Sequence, residues 1–156
     1  MPVAQLKNYL DREGVRYVTL DHSKAFTAQE IAASAHVAGK AMAKVVIVNI
    51  DGRMAMAVLP ANDHVDLDQL REASGASSVE LATEQEFRSR FPDCEVGAMP
   101  PFGNLYDMDV FVEENLRTDG DIVFNAGNHT ELIRMPYRDF ERLVEPKVLS
   151  YSTVAY

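Results

Sequence analysis

Residues 39–50, GKAMAKVVIVNI, set Lys44 directly before an unbroken apolar run from Val45 to Val48. Four consecutive β-branched residues cannot alternate between a wet and a dry side, so they predict a strand buried on both faces. Any fold of this chain must cover that strand from both sides. A lysine at its mouth rests its stem on the core and projects its ammonium from the strand end into a cleft. Partial burial there disfavours the charged form, and an anionic partner restores it. Lys44 therefore has two readings: a cation for phosphate or a developing oxyanion, or a gatekeeper charge flanking a sticky strand.

The neighbouring signals are local. Asp51-Gly52 predicts a hairpin into a second apolar strand, Met54 to Leu59, closed by Pro60. Upstream, Val3, Leu6 and Leu10 recur at helical spacing before Gly14, predicting a helix over 2–13, and Val15 to Leu20 alternates like a half-buried strand. Thr27 with Glu30 forms a capping box for a short alanine-rich helix over 28–36. Downstream, the pattern predicts a helix from Asp66 to Ser74, a brief strand from Val79 to Leu81, and a capped helix over 84–90 opened by Thr83 and Glu86. Residues 96–104, VGAMPPFGN, read as a shaped loop, because two prolines remove donors and two glycines admit unusual torsions. Such a loop suits either ligand presentation or a rigid connection. Strands follow at Asp109 to Val112, Ile122 to Asn125 and Glu131 to Met135, with a tight turn, Ala126 to His129, between the last two. Tyr137 to Val144 reads as an amphipathic helix, and the tail from Glu145 carries no clear signal.

Helices and strands mixed in this order, with hairpins beside crossovers, predict a mixed α/β sheet and not a doubly wound parallel fold. The 156 residues fit one domain, 1–156, with its core at about 15–144. The single cysteine, Cys94, lies between Asp93 and Glu95, charges that make it a poor nucleophile, and it reads as structural. The four histidines, His22, His36, His64 and His129, never fall at the i, i+4 spacing of a helical metal site, so no metal is expected. No G-x-S-x-G, Walker-type or G-x-G-x-x-G sequence occurs. A net charge of -9 argues against a coat for nucleic-acid backbone but leaves contact with one end of an RNA open. With no signal-peptide pattern and no membrane-length apolar stretch, a cytoplasmic protein without a membrane partner is expected.

Five stretches in order, DHSKAFTAQEIA, GKAMAKVVIV, VLPA, FPDCEVGAMPPFG and IVFNAGNHTELIRM, resemble the YbaK / prolyl-tRNA-synthetase-associated domain family of aminoacyl-tRNA deacylases. The resemblance spans about residues 15–144. It implies a single domain with a partly rolled mixed β-sheet surrounded by short helices. It also implies hydrolysis of the ester of a mischarged tRNA in trans, without cofactor, metal or protein nucleophile. The expected substrate is tRNA for proline carrying alanine or cysteine. The acceptor end of the aminoacyl-tRNA is the implied partner, with an aminoacyl-tRNA synthetase as a further candidate. The alternative is a catalytically inactive small-molecule or protein-binding module on the same fold. The sequence leaves the oligomeric state open.

Residue by residue, Lys44 matches the family's essential lysine, Gly97 to Pro101 its G-x-x-x-P loop, and His129 a histidine lining the amino-acid pocket. Lys44, Gly97 and His129 are thus the candidate catalytic residues. His22, Phe26, Thr27, Lys40, Met99, Pro100, Pro101, Gly127 and Asn128 are the candidate substrate-binding ones. Phe26 and Thr27 suit a pocket wall as well as local packing and capping, and Asp109 suits either the cleft or a surface strand end. The residue types fit ester hydrolysis: a cation to hold the adenosine or its phosphate, and backbone groups to fix the amino acid and stabilise the tetrahedral intermediate. A small closed pocket discriminates by size, at about 1–3 kcal/mol per methylene.

Overall fold

The computed structural model describes residues 2–21, 42–92, 94–95, 97–128 and 130–154. The helix expected over 28–36 and its Thr27 cap lie outside these residues. A central five-stranded sheet is built from β2 (Ala43–Ile50), β3 (Arg53–Pro60), β5 (Val79–Leu81), β6 (Asp109–Glu113) and β9 (Lys147–Leu149), in the order β5-β2-β3-β6-β9. The β5, β2 and β3 strands pair antiparallel, whereas β6 runs parallel to β3 and β9 parallel to β6. The sheet is therefore mixed, as the irregular element order predicts.

The hairpin at Asp51-Gly52 follows from backbone torsions: both residues adopt positive φ, 49° and 83°, which suits a tight turn between twisted strands. Along β2 the side chains divide as the apolar run requires. Ala43, Val45 and Ile47 pack into the main core with Leu6 and Leu10 of helix α1 (Pro2–Arg12), while Val46, Val48 and Ile50 join a second core with Leu70 of helix α2 (Leu67–Ser74) and with Tyr151. Asp66 caps α2 by accepting from the Gln69 amide, and Gly75 closes it in the left-handed conformation.

A second sheet has the order β1-β8-β7, from β1 (Val18–Asp21), β8 (Glu131–Pro136) and β7 (Asp121–Asn125), all antiparallel. Its junction with the central sheet is a parallel bridge between Met42 and Val123. Helix α3 (Glu84–Phe87) carries the expected capping box between Thr83 and Glu86, but 88–90 tightens into a 3-10 turn instead of extending the helix. Helix α4 (Tyr137–Val144) buries Tyr137 and Phe140.

Two further expectations change. The first strand begins at Val18 and not Val15, because Val15 is drawn under α1, its amide bonded to the Leu10 carbonyl. The tail from Glu145 is not featureless: it forms β9 and then β10 (Ser152–Val154), which pairs antiparallel with β4 (Asp63–Val65). Buried Glu113 holds this tail, accepting from the amides of Tyr151 and Ser152 at 3.0 and 3.3 Å. The Tyr151 hydroxyl reaches the carbonyls of Phe111 and Val58 at 2.6 and 2.9 Å.

Candidate active site

Lys44 is the second residue of β2, opposite Leu59 of β3, in the part of the strand that adjoins the second sheet. Its side chain is half-buried. Burial pulls the ammonium below its ordinary pKa, and the charge of Asp63 offsets part of that effect. Among the described residues, no carboxylate comes within ion-pair distance of it.

The Met42–Val123 bridge sets what stands beside Lys44. Because the two strands run parallel there, Lys44 and Asn125 are each two residues beyond the bridge. The faces agree: Ile122, Phe124 and Ala126 point with Ala43 and Val45 into the main core, leaving Asn125 on the side of Val123 and Met42. The Asn125 side-chain oxygen is buried and accepts no hydrogen bond among the described residues. A buried carbonyl without a donor carries a desolvation cost and marks a place where a donor is wanted. Sequence reasoning passed over Asn125, which reads there only as the polar end of a strand.

Directly after Asn125, the chain turns at Ala126-Gly127-Asn128, and this turn is stitched to the 97–101 loop. The Gly127 amide donates to the Ala98 carbonyl at 2.9 Å, and the Glu95 amide donates to the Gly127 carbonyl at 2.9 Å. Gly97 and Gly127 adopt φ of 85° and 110°, torsions that L side chains rarely take. Asn128 locks the far side of the turn, its Oδ1 accepting from the Thr130 amide and hydroxyl and from the Glu131 amide at 2.8–3.0 Å. Within the loop, Ala98, Met99, Pro100 and Pro101 are buried while Gly97 is exposed at its rim. Met99 and Phe102 anchor the loop in the main core, where Phe102 meets Phe124 and Phe140 edge-on.

The structure therefore joins Met99, Pro100 and Pro101 with Gly127 and Asn128 into one unit, and sets Lys44 beside the strand that leads into it. The candidates His22, Phe26, Thr27, Lys40 and His129 lie outside the described residues. Asp109 stands apart: it is exposed at the start of β6, opposite Ala55, about four strand residues from the level of Leu59. A cavity of about 970 Å³ lies elsewhere, between the 114–119 turn and α4, and Lys44 does not line it. Its floor includes Tyr137, whose hydroxyl is pushed well above the ordinary tyrosine range by burial and then by the carboxylate of Glu141.

A five-stranded mixed sheet with a lysine at one strand end, a proline-rich loop and a glycine turn is the arrangement that the resemblance to aminoacyl-tRNA editing domains implies. Residues 22–143 match the model of that family, and the chain belongs to it. Among curated proteins it is 24% identical, over 94% of its own length and 90% of the relative's, to the multifunctional Ser/Thr-tRNA deacylase ProXp-y of Escherichia coli (strain K12). It is also 25% identical over 85 residues to the proline–tRNA ligase of Bacillus mycoides (strain KBAB4), of which it spans only 15%. A solved structure described as a candidate trans-editing enzyme for prolyl tRNA synthetase superposes with a TM-score of 0.83 at 17% identity, covering 97% of both chains. Another, of the hypothetical protein APE2540, gives the same TM-score at 21% identity over 95% of this chain and 99% of that one.

Proposed function

We propose that this protein hydrolyses, in trans, the ester between a small amino acid and the terminal adenosine of a mischarged tRNA. Membership of the editing-domain family supports the reaction class. The observation that carries the reading is Lys44: a half-buried ammonium with no carboxylate within ion-pair distance among the described residues, next to a loop and turn stitched by their backbones. Such an ammonium is held ready for an external anion, either the terminal phosphate or the oxygen that gains charge as water attacks the ester carbon. Water supplies its hydroxyl to the carbonyl carbon and its proton to the departing ribose oxygen, releasing the free amino acid and the tRNA. In this reading, the 97–101 loop and the Gly127 turn fix the amino-acid end, and His129 shapes the pocket or orients water.

Alanine or cysteine on tRNA for proline is the substrate expected from the sequence. The name of the Escherichia coli relative adds serine and threonine as candidates for the same pocket. The deciding experiment charges tRNAs with alanine, cysteine, serine, threonine and proline, and follows deacylation by the wild type and by Lys44→Ala. Clearance of one or more mischarged species by the wild type alone supports the reading. A folded wild type that clears none of them overturns it and leaves a binding module on an editing fold.

A further inference from the structure

Lys44 acts from the side of the sheet that the C-terminal strand covers. Met42, Lys44, Val46 and Val48 alternate onto that side, and the last two pack in the second core with Val65 of β4 and with Tyr151 and Leu149 of the tail. On β4, Asp63 and Val65 share a face, so Asp63 is turned towards the same side as Lys44, while His64 between them is exposed on the opposite face. Asp63 is only 7% exposed. A carboxylate this buried needs partners. One is fixed by the fold: the Ser152 hydroxyl donates to Asp63 Oδ2 at 2.9 Å. Ser152 belongs to β10, and β10 lies beyond residues 22–143 that match the editing-domain family.

We propose that Asp63, held by Ser152 of the C-terminal strand, is the positioning residue that keeps the Lys44 ammonium charged and aimed at the substrate. The inference rests on the reading of Lys44 given above. Asp63 does not touch substrate. It acts through the lysine from the same side of the sheet, and among the described residues it forms no ion pair that would occupy the ammonium. Its charge works against the effect of burial on Lys44. Among the described residues, the strands flanking Lys44 set uncharged groups beside it, Leu59 of β3 and Asn125 of β7. Ser152 serves by fixing the carboxylate rotamer, so the tail reaches the site through one hydroxyl.

The test is a titration of Lys44 itself, in the full chain with isotopically labelled lysine, assigned with Lys44→Arg. It compares wild type, Asp63→Asn, Ser152→Ala and Ser152→Thr, each checked for native circular dichroism. Asparagine keeps the shape of Asp63 and its bond to Ser152 while removing the charge. The expected result is a Lys44 midpoint displaced to lower pH in Asp63→Asn, displaced less in Ser152→Ala, and restored in Ser152→Thr. The kcat profile should lose its alkaline side in the same order, with little change in acid. An unchanged Lys44 midpoint in Asp63→Asn overturns the proposal, whatever the activity. If Asp63→Asn does not fold, Ser152→Ala decides alone: an unmoved midpoint overturns the proposal and a lowered one supports it. A wild type that clears no mischarged tRNA defeats the catalytic reading, while the titration still decides whether Asp63 governs the lysine.

Discussion

The Gly127 amide donates to the Ala98 carbonyl at 2.9 Å, so two segments separated by two strands and two 3-10 turns behave as one piece of backbone. A wall made this way holds its shape without spending side chains on it. It also depends on a torsion, φ 110° at Gly127, that other residues resist. Gly127→Ala should cost about 1–2 kcal/mol of stability from the torsion. It should also reduce deacylation more than stability explains, because the Ala98 carbonyl moves. Urea denaturation and kcat/KM, measured on the same preparations, separate the two effects.

Lys44 should be a site where function opposes stability. Burial lowers its folded pKa, so the unfolded chain binds more protons than the folded one between the folded and the unfolded pKa. The cost of the buried ammonium is fully present below the folded pKa and is relieved as pH rises towards the ordinary lysine value. Lys44→Met should therefore raise the urea midpoint at pH 7, by a margin that shrinks in alkali, while abolishing deacylation. A lower midpoint at pH 7 would contradict this account.

With a net charge of -9, the chain can hold a tRNA end only through a few local cations. Binding of uncharged tRNA should weaken as salt rises from 50 to 200 mM. In Lys44→Ala, the slope of log affinity against log salt should become shallower by about 0.7, the contribution of one phosphate contact on a single strand. Fluorescence anisotropy across a salt series measures it, and an unchanged slope would remove Lys44 from the phosphate contacts.

Gly103, which closes the PPFG stretch, has no room for a side chain: a Cβ there would meet the Met108 carbonyl oxygen at 2.5 Å and Val110 Cγ2 at 2.6 Å. Gly103→Ala should destabilise the fold by about 1–3 kcal/mol through overpacking. Because the first of these contacts is backbone, the loss should not be recovered by trimming Val110 alone. Thermal melts of Gly103→Ala with and without Val110→Ala check this.

Tyr151 offers a pH prediction. Burial first, and then the Glu113 carboxylate, push its phenol well above the ordinary value of 10.0. For an acid whose folded pKa is raised, the stabilisation is complete below the unfolded pKa and is lost as pH rises from there towards the folded one. The fold should thus weaken above about pH 10. Tyrosinate absorbance from this residue should emerge only with loss of near-ultraviolet circular dichroism, and in Tyr151→Phe that component should vanish.

Much of the frame was legible because its signals are local. The run from Val45 to Val48, the Asp51-Gly52 turn and the Thr83–Glu86 box each state their structure within a few residues, and all three form as expected. The proline-rich loop likewise announces itself, since Pro100 and Pro101 admit neither helix nor central strand. What was not legible depends on partners far along the chain. Strands β9 and β10 have three residues each, too few for a period, and they exist because Glu113 and β4 hold them. Asp63 carried no signal in the sequence, since nothing near it says that Ser152 will partner it. Asn125 was hidden for a similar reason: only the Met42–Val123 bridge reveals what stands beside it.

The bond from Ser152 to Asp63 joins positions 89 apart. A ribosome adding about 5–20 residues per second takes roughly 5–18 s to travel from one codon to the other. The β2–β3 hairpin needs only microseconds once it is free, so the lysine's strand is ready long before the strand that completes its surroundings has been made. In the growing chain, the buried carboxylate waits, half-clothed, for a serine not yet translated. A decoding error at that one late codon would take from Asp63 the hydroxyl that clothes it.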